Sequence, residues 1–139
     1  MGFLNRPSDD LGKLILRWTV GGVLLFHGVH KLQHGVAWME PLLAGVGLPA
    51  FVSYGAYVGE VLAPLLLVVG WQVRLAALTV AANMGMAILL ALRGRIFSLK
   101  ESGGGWAIEL EMLLLLGALA IFFLGSGRYG IAARSRAKD

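Results

Sequence analysis

Long apolar runs alternate with short polar segments along this chain, a pattern typical of membrane-spanning helices. Four runs stand out, at about 11–32, 50–71, 75–92 and 106–124. Each is close to the roughly 20 residues that a helix needs to cross the hydrocarbon layer. The connector at 34–49 is broken by Pro41 and by glycines, so it predicts a short interfacial helix and not a fifth span. The pattern therefore predicts an all-α fold, with one domain over 1–139 built as a four-helix transmembrane bundle.

Local signals add detail to these helices. Ser8 precedes the first run, and its hydroxyl oxygen can accept a hydrogen bond from a free backbone N–H at the helix N-terminus. Pro64, inside the second run, lacks the N–H that closes a helical turn, so it predicts a kink. Gly55 and Gly59 form a GxxxG pattern, which favours close packing within the bundle over a homo-oligomer interface.

The amino-acid composition indicates that lipid surrounds much of this protein. Hydrophobic residues make up 58% of the chain and charged residues 14%, whereas a soluble domain usually has about 25% charged residues. The absence of cysteine excludes disulfides, thiolate metal sites and thiol redox chemistry carried by this chain. The net charge of +4 is spread over basic residues at helix ends. We therefore expect anionic lipid headgroups as partners and no nucleic acid.

The basic residues also predict an orientation, because Lys and Arg are more frequent in cytoplasmic loops. Seven of them fall on the side of the N-terminus and four on the opposite side. The seven are Arg6, Lys13, Arg74, Arg128, Arg134, Arg136 and Lys138, and the four are Lys31, Arg93, Arg95 and Lys100. Both termini are therefore expected in the cytoplasm.

Polar side chains inside the apolar runs are the candidate ligand-binding residues. Arg17 and His27 lie within the first run, Glu60 and Asn83 near the middle of the second and third, and Glu109 in the fourth. A charged group in lipid is expensive unless it has a partner, which makes each one a functional-site hypothesis. One interpretation is a polar pocket in which Arg17 reaches Glu60, and His27 reaches Glu60 or Glu109. The alternative is a structural ion pair that fixes the register of the helices.

Three histidines, His27, His30 and His34, follow the spacing i, i+3, i+7 and share one helix face. Neutral imidazole is a common ligand, so the three are candidates for a metal or haem site. They can equally mark the point at which the helix leaves the bilayer. Because two of them fall at headgroup level, the interfacial interpretation is preferred, and neither haem nor metal is expected as a cofactor.

Two further positions concern the outer half of the bundle. Lys31 is expected to extend outward to the headgroups, as long basic side chains near helix ends commonly do. Glu109 and Glu111 are two residues apart, so they point to nearly opposite sides of a helix. One faces the bundle and the other faces lipid or a headgroup, and the spacing does not say which.

A set of residues runs in order over most of the chain, from about Leu11 to Tyr129. It comprises Arg17 with Gly21 and Phe26, His27-Gly28-Val29-His30-Lys31-Leu32, Gly59-Glu60, Gly70-Trp71, Glu109 and Gly125-Ser126-Gly127-Arg128-Tyr129. In order and spacing, these residues resemble the DoxX family of small four-helix bacterial membrane proteins. Family members commonly finish Gly-Pro-Gly followed by Ser-Leu-Asp, and this chain differs in having Ser126 and Gly130-Ile131-Ala132 there.

The resemblance implies a protein of the bacterial inner membrane and a link to oxidoreductase complexes of redox and sulfur metabolism, including a thiosulfate:quinone oxidoreductase subunit. The leading hypothesis is a membrane subunit of a redox assembly that binds quinone or a similar amphipathic molecule. Arg17 and Glu60 would form its charged core, and His27 and Glu109 would hydrogen-bond a carbonyl or relay a proton. Electrons would come from a redox-enzyme partner or a bound cofactor. The alternatives are a non-catalytic scaffold or assembly factor and a small-solute or proton transporter, and no catalytic residue is assigned.

Overall fold

The computed structural model describes residues 8–101 and 103–131, and this part of the chain is helical throughout, apart from loops and one isolated bridge between Leu99 and Trp106. The helices are α1 (Asp9–His34), α2 (Glu40–Gly45), α3 (Ala50–Val69), α4 (Val73–Ala91) and α5 (Glu109–Leu124), with short 3₁₀ turns at Ala37–Met39 and Arg93–Arg95. The all-α prediction is confirmed. Four basic residues used for the orientation lie outside the described residues, as does Ala132; the four are Arg6, Arg134, Arg136 and Lys138.

The four long helices pack side by side, each against the next along the chain, and α5 returns against α1. Their shared core is made of apolar side chains such as Leu24, Leu67, Val80 and Ala118, all fully buried. Two helices, α3 and α4, are long and apolar enough to cross a membrane by length and composition. The longer α1 carries several charges, and α5 has only 16 residues.

The first helix begins where the sequence predicts. The Oγ of Ser8 accepts a hydrogen bond from the N–H of Leu11 at 3.3 Å, which satisfies one of the free donors of the first turn. Asp9 and Asp10 follow in that turn, where negative charge is favourable near the positive end of the helix dipole. The helix ends at Gly35, whose φ of 79° is a conformation that glycine adopts without strain.

The third helix is irregular in its first half. It begins as a 3₁₀ segment at Ala50–Tyr54 and continues through a π-helical turn at Val58–Leu62, in which the N–H of Ala63 donates to the carbonyl of Val58. Pro64 follows directly, and its missing N–H leaves the carbonyl of Glu60 without its usual helical partner. The interruption that Pro64 predicts therefore takes the form of a π-helical turn.

The GxxxG pattern at the start of α3 serves packing within the molecule at one of its two glycines. Gly59 is buried, and a Cβ added there would lie 2.6 Å from the side chain of Asn83 on α4. Gly55 has open space around its Cα. The pattern thus brings α3 and α4 together at Gly59 and leaves a gap beside Gly55.

Candidate functional site

The buried carboxylate of Glu60 lies at the centre of the candidate site. Glu60 is only 4% exposed and belongs to the π-helical turn of α3, a type of turn that is frequent at functional sites. Gly28 of α1 packs on the same residue, because a Cβ at Gly28 would overlap the backbone carbonyl of Glu60. The absence of a side chain at Gly28 therefore lets α1 and α3 meet backbone to backbone beside the carboxylate.

Lys31 is the partner of this carboxylate. It lies three residues after Gly28 and so shares the face of α1 that contacts α3. Its Nζ forms an ion pair with Oε2 of Glu60, and the hydroxyl of Tyr57 donates to the backbone carbonyl of Lys31 at 3.3 Å. The prediction that Lys31 extends outward is wrong. A buried carboxylate without a partner is more costly than a lysine turned inward, so the ammonium follows the carboxylate.

Arg17 of α1 lies beside the C-terminal end of α3, away from Glu60. Its guanidinium is fully buried and donates to the carbonyl of Leu67 at 3.0 Å and to the carbonyl of Tyr129. The predicted contact between Arg17 and Glu60 is therefore wrong. Gly28 marks the level of Glu60 on α1, and Arg17 precedes Gly28 by eleven residues, about 16 Å along the helix axis. An arginine side chain does not reach that far.

A cavity of about 320 Å³ opens beside the Lys31–Glu60 ion pair. Besides the pair, its polar lining consists of His27 and His30 from α1 and Glu111 from α5. The remaining walls are apolar or aromatic and comprise Leu24, Trp38, Met84, Ala87, Ala91, Leu92, Leu110 and Leu114. Two carboxylates, two imidazoles and one ammonium thus face a single space between apolar side chains. We call this space the polar chamber.

The structure distinguishes the two carboxylates at the start of α5. Glu111 lines the polar chamber, whereas Oε1 of Glu109 lies 2.8 Å from Nζ of Lys100, and these two side chains are 43% and 45% exposed. Residues two apart are rotated by about 200° around a helix, so only one of them can face the chamber. The expectation that Glu109 lies inside the bundle within reach of His27 is wrong, because Lys100 pairs with it at the surface.

Two smaller cavities lie near the polar chamber. A connecting cavity of about 70 Å³ shares Lys31, Glu60 and Trp38 with the chamber, and it is also lined by Asn83. The third cavity, about 210 Å³, lies among α2, α3 and α4 and shares Asn83 and Met39 with the connecting cavity. Asn83 therefore stands where the second and third cavities meet, beside Glu60 and away from Arg17.

Comparison with known proteins matches this architecture to one family. The sequence model of the DoxX family matches residues 12–93, more than half of the chain. The chain belongs to the DoxX family. The match includes His27, Lys31, Glu60 and Asn83, and it ends before α5, which supplies Glu111. This is a membrane-associated family, in agreement with the two membrane-length helices α3 and α4.

One curated relative gives a link to redox chemistry. The Bacillus subtilis (strain 168) protein named "Putative oxidoreductase CatD" is 28% identical to this DoxX chain over 122 residues. The aligned region covers 87% of this chain and 84% of that protein, so the similarity extends over α5 as well as the family match. No solved structure gives a significant match.

The three histidines of this DoxX protein have different surroundings. His27 and His30 line the polar chamber. His34 stacks on His30 with ring centroids 4.2 Å apart, and its Nδ1 lies 3.0 Å from the carbonyl oxygen of His30. Over residues 8–101 and 103–131, no group of three or more His, Cys, Asp or Glu is arranged to hold a metal ion. His27 and His30 are therefore the two imidazoles available to a molecule in the chamber.

Sequence reasoning missed Lys31 and left Glu111 undecided. A signal for Lys31 was present, because Gly28 within the DoxX pattern must face a neighbouring helix and a residue three positions later faces the same way. No comparable signal existed for Glu111. Its orientation depends on the ion pair that Glu109 makes with Lys100, a residue of the preceding loop.

Proposed function

We propose that this DoxX protein crosses the bacterial inner membrane four times, with both termini in the cytoplasm and α2 at the opposite interface. Large apolar side chains point outward from all four long helices and are more than half exposed; examples are Phe26, Phe51, Leu75, Leu113 and Phe123. Soluble monomers rarely expose so much contiguous apolar surface, whereas lipid accepts it. The charges of α1 that fall inside this apolar belt both have partners within the protein: Arg17 donates to backbone carbonyls, and Lys31 pairs with Glu60.

Within that frame, the polar chamber is proposed to bind quinone or a similar amphipathic molecule on behalf of a redox assembly. The observation that carries the proposal is the convergence of His27, His30, Lys31, Glu60 and Glu111 on one small space with apolar walls. Ligand sites in proteins commonly combine apolar walls with a few convergent polar groups. The similarity to a protein named as an oxidoreductase points the same way.

The side chains of the chamber suit the proton chemistry of a quinone. Reduction of a quinone to a quinol consumes two electrons and two protons, and each of the two carbonyl oxygens takes up one proton. The imidazoles of His27 and His30 can donate hydrogen bonds to a carbonyl oxygen, and the carboxyl of Glu111 can hold a proton beside it. Glu60 is held by Lys31 and would orient that lysine. The electrons would come from a partner enzyme or a bound cofactor.

The test uses the two carboxylates of α5 as a matched pair. Glu111→Gln and Glu109→Gln remove the same charge two residues apart, but only the first changes the polar chamber. Binding of decyl-ubiquinone and of its quinol form to the purified protein is followed by tryptophan fluorescence, and of the four tryptophans Trp38 is the one that lines the chamber. Because the hydroxyl of the quinol form can donate to the Glu111 carboxylate, and a hydrogen bond to a charged group contributes about 1.5–3 kcal/mol, Glu111→Gln should weaken binding of the quinol form at least tenfold. Glu109→Gln should leave it within about twofold of the parent, since it loses only an exposed ion pair.

A scaffold or assembly role is the second candidate, and the contacts of Arg17 favour it. Among the described residues, that guanidinium bonds backbone carbonyls at the junction of α1, α3 and the segment after α5, so at least one buried charge serves architecture. If decyl-ubiquinone does not bind the parent, or if Glu111→Gln and Glu109→Gln bind its quinol form equally well, the quinone proposal fails and the scaffold role is preferred.

A further inference from the structure

The three cavities lie close to one another and share lining residues. The polar chamber and the connecting cavity share the Lys31–Glu60 ion pair, and the connecting cavity and the third cavity share Asn83. Residues on neighbouring faces of helix α4 line all three cavities. Met84 and Ala87 face the chamber, while Ala82 and Met86 face the third cavity. A flexible molecule that reached from the chamber into the third cavity would therefore pass the ion pair and Asn83.

The third cavity differs from the chamber in its chemistry. Most of its lining is apolar, and its one hydroxyl, that of Thr79, already donates to the carbonyl of Leu75 at 2.9 Å. Small residues of α3, among them Gly55 and Ala56, form one wall and leave room beside α4. Asn83 supplies the one side-chain amide of the lining, at the end next to the connecting cavity. We call this cavity the apolar groove.

Volume limits what the polar chamber can hold alone. At about 320 Å³ it lies at the lower end of the range for small-molecule sites, roughly 300–1,000 Å³. A polar ring fits such a space, but a ring that carries a long apolar chain needs a second compartment. The apolar groove, with about 210 Å³, offers such a compartment on the far side of the connecting cavity.

We propose that the apolar groove holds the hydrocarbon tail of the ligand whose polar head occupies the chamber. The substrate class is then a molecule with a small hydrogen-bonding ring and an apolar chain, which passes the Lys31–Glu60 pair and Asn83. This assignment rests on the proposed function, since it requires that a head group binds in the chamber. It adds that the protein selects its ligand by the tail as well as by the head.

The test separates the tail from the head with two probes, the ubiquinone ring without a tail and the same ring with a decyl chain. Ala82→Leu enlarges a side chain that lines the apolar groove and leaves the chamber unchanged. Ala44→Leu is the matched control, because Ala44 is exposed on α2 and lines none of the three cavities. Dissociation constants are measured for both probes with the parent and both variants in detergent.

In the parent and in Ala44→Leu, the decyl probe should bind at least tenfold tighter than the ring alone, because burial of methylene groups is favourable. In Ala82→Leu that advantage should fall by tenfold or more, while the affinity for the ring alone stays within twofold. If both probes bind and Ala82→Leu changes neither affinity, or weakens both equally, the tail assignment is overturned and the head site stands. If neither probe binds the parent, the proposed function itself fails, and this assignment fails with it.

Discussion

The contact between Gly28 and Glu60 is the residue-scale feature on which the candidate site depends. Each of the two residues lacks a feature that is usual in a helix: a side chain in one case and a hydrogen-bond donor in the other. Gly28 has no side chain, and the carbonyl of Glu60 lacks its usual i+4 donor because Pro64 stands four residues later. The resulting backbone contact sets α1 against α3 at a height where Lys31 meets the Glu60 carboxylate.

A methyl group at Gly28 should therefore separate the two helices. We expect Gly28→Ala to lower the free energy of unfolding by about 1–3 kcal/mol, the usual cost of overpacking. Thermal unfolding in detergent measures this loss. Gly22→Ala on the same helix is the control, because no atom lies within 4 Å of its added Cβ, and it should be neutral or stabilising by up to about 1 kcal/mol. Equal stability of the two variants would contradict the close contact at Gly28.

At the scale of elements, α1 closes the C-terminal end of α3. The last carbonyls of a helix have no partner within it. Two successive residues of α1 supply them here: Arg17 donates to Leu67, and the indole N–H of Trp18 donates to the carbonyl of Val68 at 3.0 Å. Gly70 makes room for the guanidinium, since a Cβ there would overlap it. Arg17 thus stabilises the packing of α1 against the C-terminal end of α3, whereas Lys31 pairs with Glu60 of the candidate site near the middle of that helix.

This division predicts that Arg17 can be lost without loss of ligand binding. Arg17→Gln should lower the unfolding free energy by about 2–4 kcal/mol, because charge-assisted hydrogen bonds to two carbonyls are removed. The affinity of the folded protein for decyl-ubiquinone should stay within twofold of the parent. Arg74→Gln, at an exposed arginine of α4, should change neither quantity. A variant at Arg17 with parental stability and weakened binding would show that Arg17 belongs to the site after all.

The contacts of α1 also show how far sequence reasoning extends. The Ser8 cap, the four long helices and the need of Glu60 for a partner inside the protein follow from local pattern and from the cost of a charge in an apolar run. The partner of Glu60 does not follow. Rise per residue gives positions along one helix, but the offset between two helices depends on where their backbones touch. Here the close contacts of Gly21 and Gly28 with α3 set that offset. As a result, Lys31 and not Arg17 lies beside the Glu60 carboxylate.

At the scale of the whole molecule, the orientation in the membrane can be tested directly. The chain has no cysteine, so a single introduced cysteine reports its own side of the membrane. With both termini in the cytoplasm, Ala44→Cys on α2 should react with an impermeant maleimide in spheroplasts. Gly12→Cys, exposed near the start of α1, should react only after permeabilisation. The reverse pattern of labelling would show the opposite orientation.

The bond between Arg17 and the carbonyl of Tyr129 has a consequence for biogenesis. During translation, Arg17 is synthesised 112 residues before Tyr129, one of the acceptors of its guanidinium. Until Tyr129 is synthesised, the guanidinium of Arg17 lacks this hydrogen bond, and α1 lacks a contact with the segment after α5. We therefore expect a product that terminates before Tyr129 to be less stable than the full chain, because it leaves a buried donor of Arg17 without its acceptor.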